Sequence, residues 1–313
     1  MAPPFFGNEK KVENNINNKL MKLLQPGDLI TIVAPAKAIE ESHISFAKSL
    51  FESRGYRVQV GADCLGSHHY FSGTDLERAS DLQEALDNPE VKAIICARGG
   101  YGCVRILNHL QWARFIREPK WLVGFSDVTV LHQHIGMLDL PSIHASMPLN
   151  YKENTPEAID SLFDALEGNQ LTYDIAANSY NKRGDASGKL VGGNLSILYS
   201  LLGTDDCIDY SECILFIEDL AEQLYHIDRM FYAFAKAGIF DKIKGLIVGG
   251  MTDLKDTAIP FGQDIYTLIL AHFTYRNIPI VFDFPAGHIN DNRALIIGKE
   301  VQLHVAENVC LTI

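Results

Sequence analysis

Three residues that lie far apart in the chain have the types and local settings of a nucleophile, an acid and a base. Ser126 follows the apolar segment Trp121–Phe125 and precedes a helical pattern, so we expect its hydroxyl on a tight turn at a helix N-terminus. That position favours a developing alkoxide, but a serine nucleophile also needs a base and a group that orients the base. Glu218 and His288 also follow apolar segments and could supply these groups. Together the three residues predict acyl transfer through a serine.

Each of these residues also has a purely structural interpretation. Serine and aspartate are good helix N-caps, so Ser126 or the adjacent Asp127 could cap the following helix. An acid at a helix start, such as Glu218, interacts favourably with the helix dipole, and Asp219 competes with it for either role. His288 could be a histidine of a surface loop. Spacing alone does not decide between the structural and the catalytic interpretation.

The glycine-containing loop 98–102 is a second signal, because it follows the apolar segment Val91–Cys96. Its backbone N–H groups could bind a phosphate or an oxyanion. The sequence contains neither G-x-x-x-x-G-K-[ST] nor G-x-G-x-x-G, so the phosphate interpretation is weak. There is also no H-E-x-x-H motif and no cysteine pair with metal-ligand spacing. The sequence therefore favours a hydrolase without metal or cofactor over a metalloenzyme.

The charge and cysteine content of the 313-residue chain exclude several classes of protein. With 27 basic and 39 acidic residues its formal net charge is −12, and no basic run offsets this, so we expect no nucleic-acid partner. Six scattered cysteines without C-x-x-C spacing are typical of free thiols in a reducing compartment. Apolar segments reach only strand length, and the N-terminus lacks the apolar region of a signal peptide. These features predict a cytoplasmic protein that does not bind membranes.

Strand-like and helical segments alternate through the first half of the chain. The strand-like segments are Leu29–Val33, Arg57–Val60, Val91–Cys96 and Trp121–Phe125, and the helical ones are Ser42–Ser53, Asp75–Leu86, Gly102–Leu110 and Asp127–Met137. Short connections between such segments indicate a flavodoxin-like parallel sheet that is covered on both faces. Ligands bind beyond the carboxyl ends of the strands in such sheets, which is where Ser126 and the loop 98–102 lie.

The second half predicts a smaller C-terminal α/β domain with a mixed sheet. Cys213–Ile217 is a strand-like segment before Glu218, and Ile280–Phe284 is another before His288. Leu295–Ile297 and Val301–His304 predict an antiparallel pair. Between the halves, a polar stretch with little periodicity is typical of a linker.

The predicted division is a polar N-terminal extension over 1–23, a domain bearing the serine over 24–167, a linker over 168–188, and a domain bearing Glu218 and His288 over 189–313. Because the three candidate residues come from both domains, we expect the active site in the cleft between them.

Seven short motifs occur in an order that resembles the LD-carboxypeptidase (muramoyltetrapeptide carboxypeptidase) family of serine peptidases. They are PGD with IVAP at 26–28 and 32–35, ARGGYG at 97–102, GFSD at 124–127, GGNL at 192–195, IED at 217–219, IDR at 227–229 and FPAGH at 284–288. Each motif alone is modest, but the ordered set is specific and spans about residues 24–313. The first 20 or so residues fall outside the resemblance.

This resemblance implies a triad of Ser126, Glu218 and His288, with an oxyanion hole formed by the backbone N–H groups of Gly100 and Asp127. It also implies a cytoplasmic, metal-free enzyme, often a homodimer, that acts in peptidoglycan recycling. Such enzymes remove the terminal D-alanine from a murein tetrapeptide by cutting between the L-centre of a diamino acid and a D-residue. A sister branch hydrolyses the amide of a peptidyl-nucleotide antibiotic, microcin C, and confers self-immunity.

A carboxypeptidase must also bind the terminal carboxylate of its peptide, and in a protein of charge −12 that requires a dedicated donor. Arg98, Arg229 and Arg293 are candidates that the sequence does not rank. The only tryptophans, Trp112 and Trp121, fall in packing positions and offer no partner for a nucleobase, which favours the murein substrate over the peptidyl-nucleotide. A two-domain protein that binds a small ligand without reacting is the non-enzymatic alternative.

Overall fold

The strands of the computed structural model, which describes residues 21–313, form two sheets. In chain order the strands are β1 (Leu29–Val33), β2 (Arg57–Val60), β3 (Val91–Cys96), β4 (Trp121–Gly124), β5 (Ser142–His144), β6 (Thr172–Ala176), β7 (Gly184–Asn194), β8 (Ile214–Leu220), β9 (Gly245–Thr252), β10 (Ile280–Val281), β11 (Leu295–Ile297), β12 (Glu300–Val305) and β13 (Asn308–Thr312). The α-helices are α1 (Glu41–Ser53), α2 (Asp75–Asp87), α3 (Cys103–Ile106), α4 (Ala113–Arg117), α5 (Thr129–Met137), α6 (Pro156–Glu167), α7 (Leu195–Leu201), α8 (Leu224–Lys236) and α9 (Ile265–Ala271).

The first sheet has the order β11-β5-β4-β3-β1-β2, in which β1 to β5 run parallel. β1 and β4 are buried along their whole length, as expected for strands covered on both faces. One face packs against α1 and α6 through Phe51 and Phe163, and the other packs against α2 and α5 through Leu82 and Leu131. The predicted flavodoxin-like parallel sheet is therefore confirmed.

The second sheet has the order β10-β9-β8-β7-β12-β13-β6 and is mixed, as predicted. β7 to β10 pair in parallel, whereas β12 pairs antiparallel with both β7 and β13. Helices α7, α8 and α9 pack against this sheet through a cluster that includes Leu198, Phe231 and Ile269. The carboxyl ends of β4 and β8 carry the segments of Ser126 and Glu218.

The predicted antiparallel pairing of Leu295–Ile297 with Val301–His304 is wrong. Leu295–Ile297 forms β11, which pairs antiparallel with β5 and so completes the edge of the first sheet. β11 is fully buried, and its pairing satisfies backbone groups that β5 would otherwise leave open at an edge. A short apolar segment does not reveal which of two sheets it joins, so the pattern favoured the nearer partner.

Residues 168–188, predicted as a linker, include β6 and the first part of β7. β6 lies at the edge of the second sheet beside β13, and its side chains alternate between exposed and more buried positions. A half-exposed edge strand lacks a continuous apolar pattern, which explains the prediction of a linker here. Of the predicted extension 1–23, residues 1–20 lie outside the described residues. No helix within 21–313 is both long enough and apolar enough to cross a membrane.

Candidate active site

The three side chains that the sequence singled out meet at one point of the structure. Nδ1 of His288 lies 2.6 Å from Oε2 of Glu218, and Nε2 of His288 lies 3.1 Å from Oγ of Ser126. Because an ionised carboxylate only accepts hydrogen bonds, Nδ1 carries the proton and Nε2 is left to accept one from the serine hydroxyl. This is the geometry of a nucleophile, a base and an orienting acid.

Ser126 is held at the carboxyl end of β4 by a short 3₁₀ turn, Ser126–Val128, that leads into α5. Its backbone lies in the left-handed region, at φ 63°, a conformation that costs a non-glycine residue about 1–3 kcal/mol. Neither this turn nor α5 receives a side-chain cap, so the alternative role of Ser126 or Asp127 as an N-cap of that helix is not observed. The strained turn instead presents the hydroxyl to His288.

Glu218 lies within β8 and is fully buried, so it does not cap α8. One of its oxygens accepts both the ring N–H and, at 3.1 Å, the backbone N–H of His288. Gly287 has a φ of 109°, and a Cβ placed there would lie 2.7 Å from Cβ of Glu218. Only glycine therefore allows the turn after β10 to bring His288 so close to the carboxylate.

The charge state of His288 is set by two opposing effects. Burial alone would lower the pKa of His288, but the charge and hydrogen bond of Glu218, with a further contribution from Asp219, outweigh it and raise that pKa above the ordinary value of 6.5. A base with a raised pKa accepts a proton more readily from a serine hydroxyl.

Two loops, one with Gly99 and Gly100 and the other with Ser126 and Asp127, pack against each other beside the serine hydroxyl. Gly99 packs directly against it: a Cβ at this position would lie 2.9 Å from Cβ of Ser126 and 3.2 Å from the backbone nitrogen of Asp127. Gly100, with a φ of 110°, lines the same cavity. The carboxylate of Asp127 is buried and accepts the backbone N–H of Cys103 at 2.8 Å, and burial raises its pKa. The carboxylate of Asp127 thus holds the backbone at Cys103, and its burial keeps it from contact with a ligand.

The serine and histidine open onto a cavity of about 320 Å³ between the two sheets. Its walls come from the segments at the carboxyl ends of β3, β4, β5, β7 and β8 and from the turn that carries His288. The lining residues are Arg98, Gly99, Gly100, Phe125, Ser126, Asp127, Met147, Leu149, Asn150, Asn194, Ser196, Ile197, Asp219, Leu220, Glu222 and His288. The cavity volume lies at the lower end of the range of small-molecule sites.

The three candidate arginines lie in different parts of the structure, and one of them lines the cavity. Arg98 lines the cavity; its Nη1 donates to the carbonyl of Ala38 at 3.0 Å, and its buried Nε has no partner among the described residues. Arg229 lies over the ring of Tyr225, and Arg293 makes two hydrogen bonds to Asp291. Neither Arg229 nor Arg293 lines the cavity. Only Arg98 of the three lies where a bound peptide could reach it.

Two asparagines that the sequence did not single out support the site. Asn292 is 1% exposed, and its Oδ1 accepts the backbone N–H of Gly287 at 2.7 Å, which ties down the turn of His288. Asn194 belongs to the GGNL motif at 192–195, for which the sequence indicated no role. Its Nδ2 donates to Asp219 at 3.0 Å. The position of Asn194 at the end of a G-G-N motif, directly before α7, was a usable signal, whereas nothing local marks Asn292.

Asp219, which the sequence offered as an alternative to Glu218, has a different role. Its Oδ1 accepts from Asn194 and from the backbone of Leu220, and its Oδ2 accepts from the backbone of Ser196 at 2.8 Å. Burial raises the pKa of Asp219 to about 6, although these hydrogen bonds oppose the rise. The carboxylate is thus used within the protein to join the end of β8 to the start of α7.

A buried histidine lies behind the nucleophile turn. His132 in α5 is bonded at Nδ1 to the hydroxyl of Ser142 (2.7 Å) and at Nε2 to the carbonyl of Gly124 (2.9 Å). Burial lowers the pKa of His132 to about 4, so it is neutral at pH 7. It joins β4, β5 and α5 beneath Ser126 and is not available to a ligand.

The described residues include no group of three or more histidine, cysteine, aspartate or glutamate side chains that could hold a metal ion. All six cysteines fall within residues 21–313, and none of them forms a disulfide.

Comparison with known proteins identifies the family. The family model of the LD-carboxypeptidase N-terminal domain matches residues 30–145, and that of the LD-carboxypeptidase C-terminal domain matches residues 187–303. A putative carboxypeptidase of Synechocystis sp. is 33% identical over 281 residues, which are 90% of this chain and 92% of that protein.

Solved structures agree with this result. The crystal structure of muramoyltetrapeptide carboxypeptidase from Oxalobacter formigenes superposes with a TM-score of 0.84 at 29% identity, covering 91% of this chain and 98% of that one. The microcin C7 self-immunity protein MccF superposes with a TM-score of 0.83 at 21% identity, covering 94% of this chain and 98% of that one, which shows a shared fold. The chain belongs to the LD-carboxypeptidase family.

Proposed function

We propose that the protein is a serine carboxypeptidase that removes the terminal D-alanine from murein tetrapeptides and acts in peptidoglycan recycling. The observation that carries this proposal is the hydrogen-bonded chain from Ser126 through His288 to the buried Glu218, opening onto a cavity between the two sheets. The murein substrate is supported by the muramoyltetrapeptide carboxypeptidase from Oxalobacter formigenes, which is similar along nearly the whole chain.

In the proposed reaction, Nε2 of His288 accepts the proton of Ser126 as its Oγ attacks the carbonyl carbon before the D-alanine. Glu218 stabilises the imidazolium that forms. The oxyanion is bound by the backbone N–H groups of Gly100 and Asp127, and each such donor typically contributes about 2.7–4 kcal/mol. His288 then returns the proton to the leaving amine of D-alanine, and water releases the acyl group from the serine by the reverse sequence of proton transfers.

Arg98 is the proposed partner of the terminal carboxylate. An exopeptidase must recognise the free chain end, and a guanidinium binds a carboxylate through paired hydrogen bonds. Among residues 21–313, Arg98 is the only arginine or lysine that lines the cavity, and its buried Nε has no partner there. Burial lowers the pKa of Arg98, and no carboxylate of residues 21–313 forms an ion pair with it, so a bound carboxylate would supply its counter-charge.

The cytoplasmic location, the homodimer and the division into domains over 24–167 and 189–313 remain proposals that rest on the sequence and on the family resemblance. They are tested by fractionation of cells, by the mass of the protein in solution, and by expression of the two parts separately.

The test of the proposed function is hydrolysis of a purified murein tetrapeptide, with a peptidyl-adenylate analogue assayed in parallel. We expect release of D-alanine from the tetrapeptide and covalent labelling of the protein by a fluorophosphonate. Ser126→Ala should lose activity by about 10⁴- to 10⁶-fold and lose the label, because the residual rate comes from binding and the oxyanion donors alone. Ser49→Ala, which changes an exposed serine on α1, is the matched control.

Three other outcomes would contradict the proposal. Turnover of the tetrapeptide by Ser126→Ala would remove this serine from the mechanism. Cleavage of the peptidyl-adenylate alone would favour a microcin C-type immunity peptidase. Binding of the tetrapeptide without hydrolysis or labelling would favour a small-ligand binding protein.

A further inference from the structure

The acidic residues that line the cavity differ in how far their carboxylates already accept hydrogen bonds from within the protein. Asp127 is buried and bonded to the backbone of Cys103. Asp219 is 2% exposed and accepts three hydrogen bonds from within the protein. Neither carboxylate has the exposure that binding a ligand requires. The remaining acidic residue of the lining is Glu222, which the proposed reaction does not use.

Glu222 lies between β8 and α8 and reaches the cavity from the second sheet. His226, one helical turn further along, bonds one carboxylate oxygen through its Nδ1. The other oxygen has no hydrogen-bond partner among residues 21–313, and the side chain keeps 21% of its exposure. A carboxylate held at one oxygen and open at the other is pre-oriented to accept a hydrogen bond from a ligand.

Arg98 and Glu222 give the cavity two opposite charges. Arg98 follows β3 of the first sheet, whereas Glu222 follows β8 of the second, so a ligand that contacts both must span the cleft. Asp219 and Asp127 already accept hydrogen bonds from within the protein, so Arg98 and Glu222 are the arginine and the acid of the described lining that remain open to a substrate. A substrate that matches them carries a carboxylate at one end and a cation at the other.

We infer that Glu222 binds a free, protonated amino group on the side chain of the residue whose carbonyl Ser126 attacks. This inference rests on the proposed function, in which Arg98 takes the terminal carboxylate and the diamino acid lies on the acyl side of the scissile bond. Ser126 and Glu222 line the same cavity of about 320 Å³, which is at the small end of ligand sites, so one short side chain beside the scissile bond can reach Glu222. Tetrapeptides whose diamino acid is unacylated are therefore the preferred substrates.

The experiment compares three synthetic tetrapeptides that share the same D-alanine end and differ at the third residue, which is L-lysine, Nε-acetyl-L-lysine or L-norleucine. A hydrogen bond to a charged group contributes about 1.5–3 kcal/mol, so kcat/KM for the lysine peptide should exceed that for the norleucine peptide by about 10- to 100-fold. The acetylated peptide lacks the charge and is bulkier, so its kcat/KM should fall at least as far.

Variants of Glu222 assign the preference to this side chain. In Glu222→Gln the lysine-to-norleucine ratio should fall to near one, in Glu222→Asp part of it should remain, and in Glu222→Lys it should fall below one. Each ratio is measured within one variant, so a smaller folded fraction cancels. Glu153→Gln, which removes the same charge from an exposed position outside the cavity, should keep the wild-type ratio.

Equal kcat/KM values on the three peptides in the wild type, or a ratio that survives in Glu222→Gln and Glu222→Lys, would overturn the inference and leave the proposed function standing. Failure to release D-alanine from any of the three peptides would overturn both.

Discussion

Replacing Glu218 by glutamine tests how much the buried carboxylate contributes to the reaction. The substitution keeps the size of the side chain but removes its charge. Nδ1 of His288 lies 2.6 Å from the carboxylate oxygen, which places the two charge centres about 4 Å apart once the imidazole is protonated. At an effective dielectric constant of about 20, their attraction is about 4 kcal/mol, so Glu218→Gln should lower kcat/KM by about 10³-fold.

The pH dependence of kcat/KM gives a second, independent readout of the same substitution. Glu218 helps hold the pKa of His288 above 6.5, and only the neutral imidazole can accept the serine proton. The acidic limb of the wild-type profile should therefore lie above pH 6.5. In Glu218→Gln the carboxylate no longer opposes the lowering of the His288 pKa by burial. The acidic limb should therefore move to lower pH.

The assay is D-alanine release from the tetrapeptide between pH 5 and 9, with Glu153→Gln as a control for the loss of one exposed negative charge. A loss of less than about tenfold in kcat/KM in Glu218→Gln, with the acidic limb of the wild type retained, would refute the claim that the charge of Glu218 stabilises protonated His288. A large loss of activity with an unshifted limb would mean that Glu218 acts on the structure of the turn and not on the charge of His288.

Three further predictions follow from neighbouring features. Gly287→Ala should lower kcat/KM by at least about 100-fold because its Cβ would overlap Glu218, whereas Gly203→Ala, with a similar positive φ and open space around it, should lower stability to urea but not activity. Between pH 6.5 and 4, only the unfolded chain protonates His132, so the free energy of unfolding should fall by about 2–3 kcal/mol by pH 4.5, and this part should be missing in His132→Gln. A chelator should leave turnover unchanged, because the proposed reaction needs only the side chains of Ser126, His288 and Glu218 and backbone donors; loss of activity that zinc restores would contradict this.

The first sheet and the positions of the candidate residues could be predicted because their signals are local. Apolar strands alternate with amphipathic helices up to residue 137, and a polar or glycine-rich segment follows each strand end. Since parallel strands bring their carboxyl ends to one edge, the loop 98–102 and Ser126 had to be neighbours. The convergence of Glu218 and His288 on Ser126 could not be derived from spacing; the family resemblance supplied that expectation.

The features that escaped prediction depend on contacts between distant parts of the chain. The helix predicted over Gly102–Leu110 is interrupted: α3 ends at Ile106 and a 3₁₀ turn follows, in a segment that packs around Asp127. Asn292 supports the turn of His288 from a polar loop that carries no local signal. In each case tertiary packing decides the outcome over local propensity.

The pairing of β11 with β5 has a consequence for the life of the newly made chain. The edge of the sheet that carries Ser126 is completed by residues 295–297, which are synthesised after all the other strands of that sheet. Until residues 295–297 are made, that edge has no partner. His288 precedes them by only a few residues, so it too is made late. A nascent chain that lacks residues 288–297 should therefore be unable to hydrolyse peptides, and a polypeptide truncated before them should be inert as well as poorly folded.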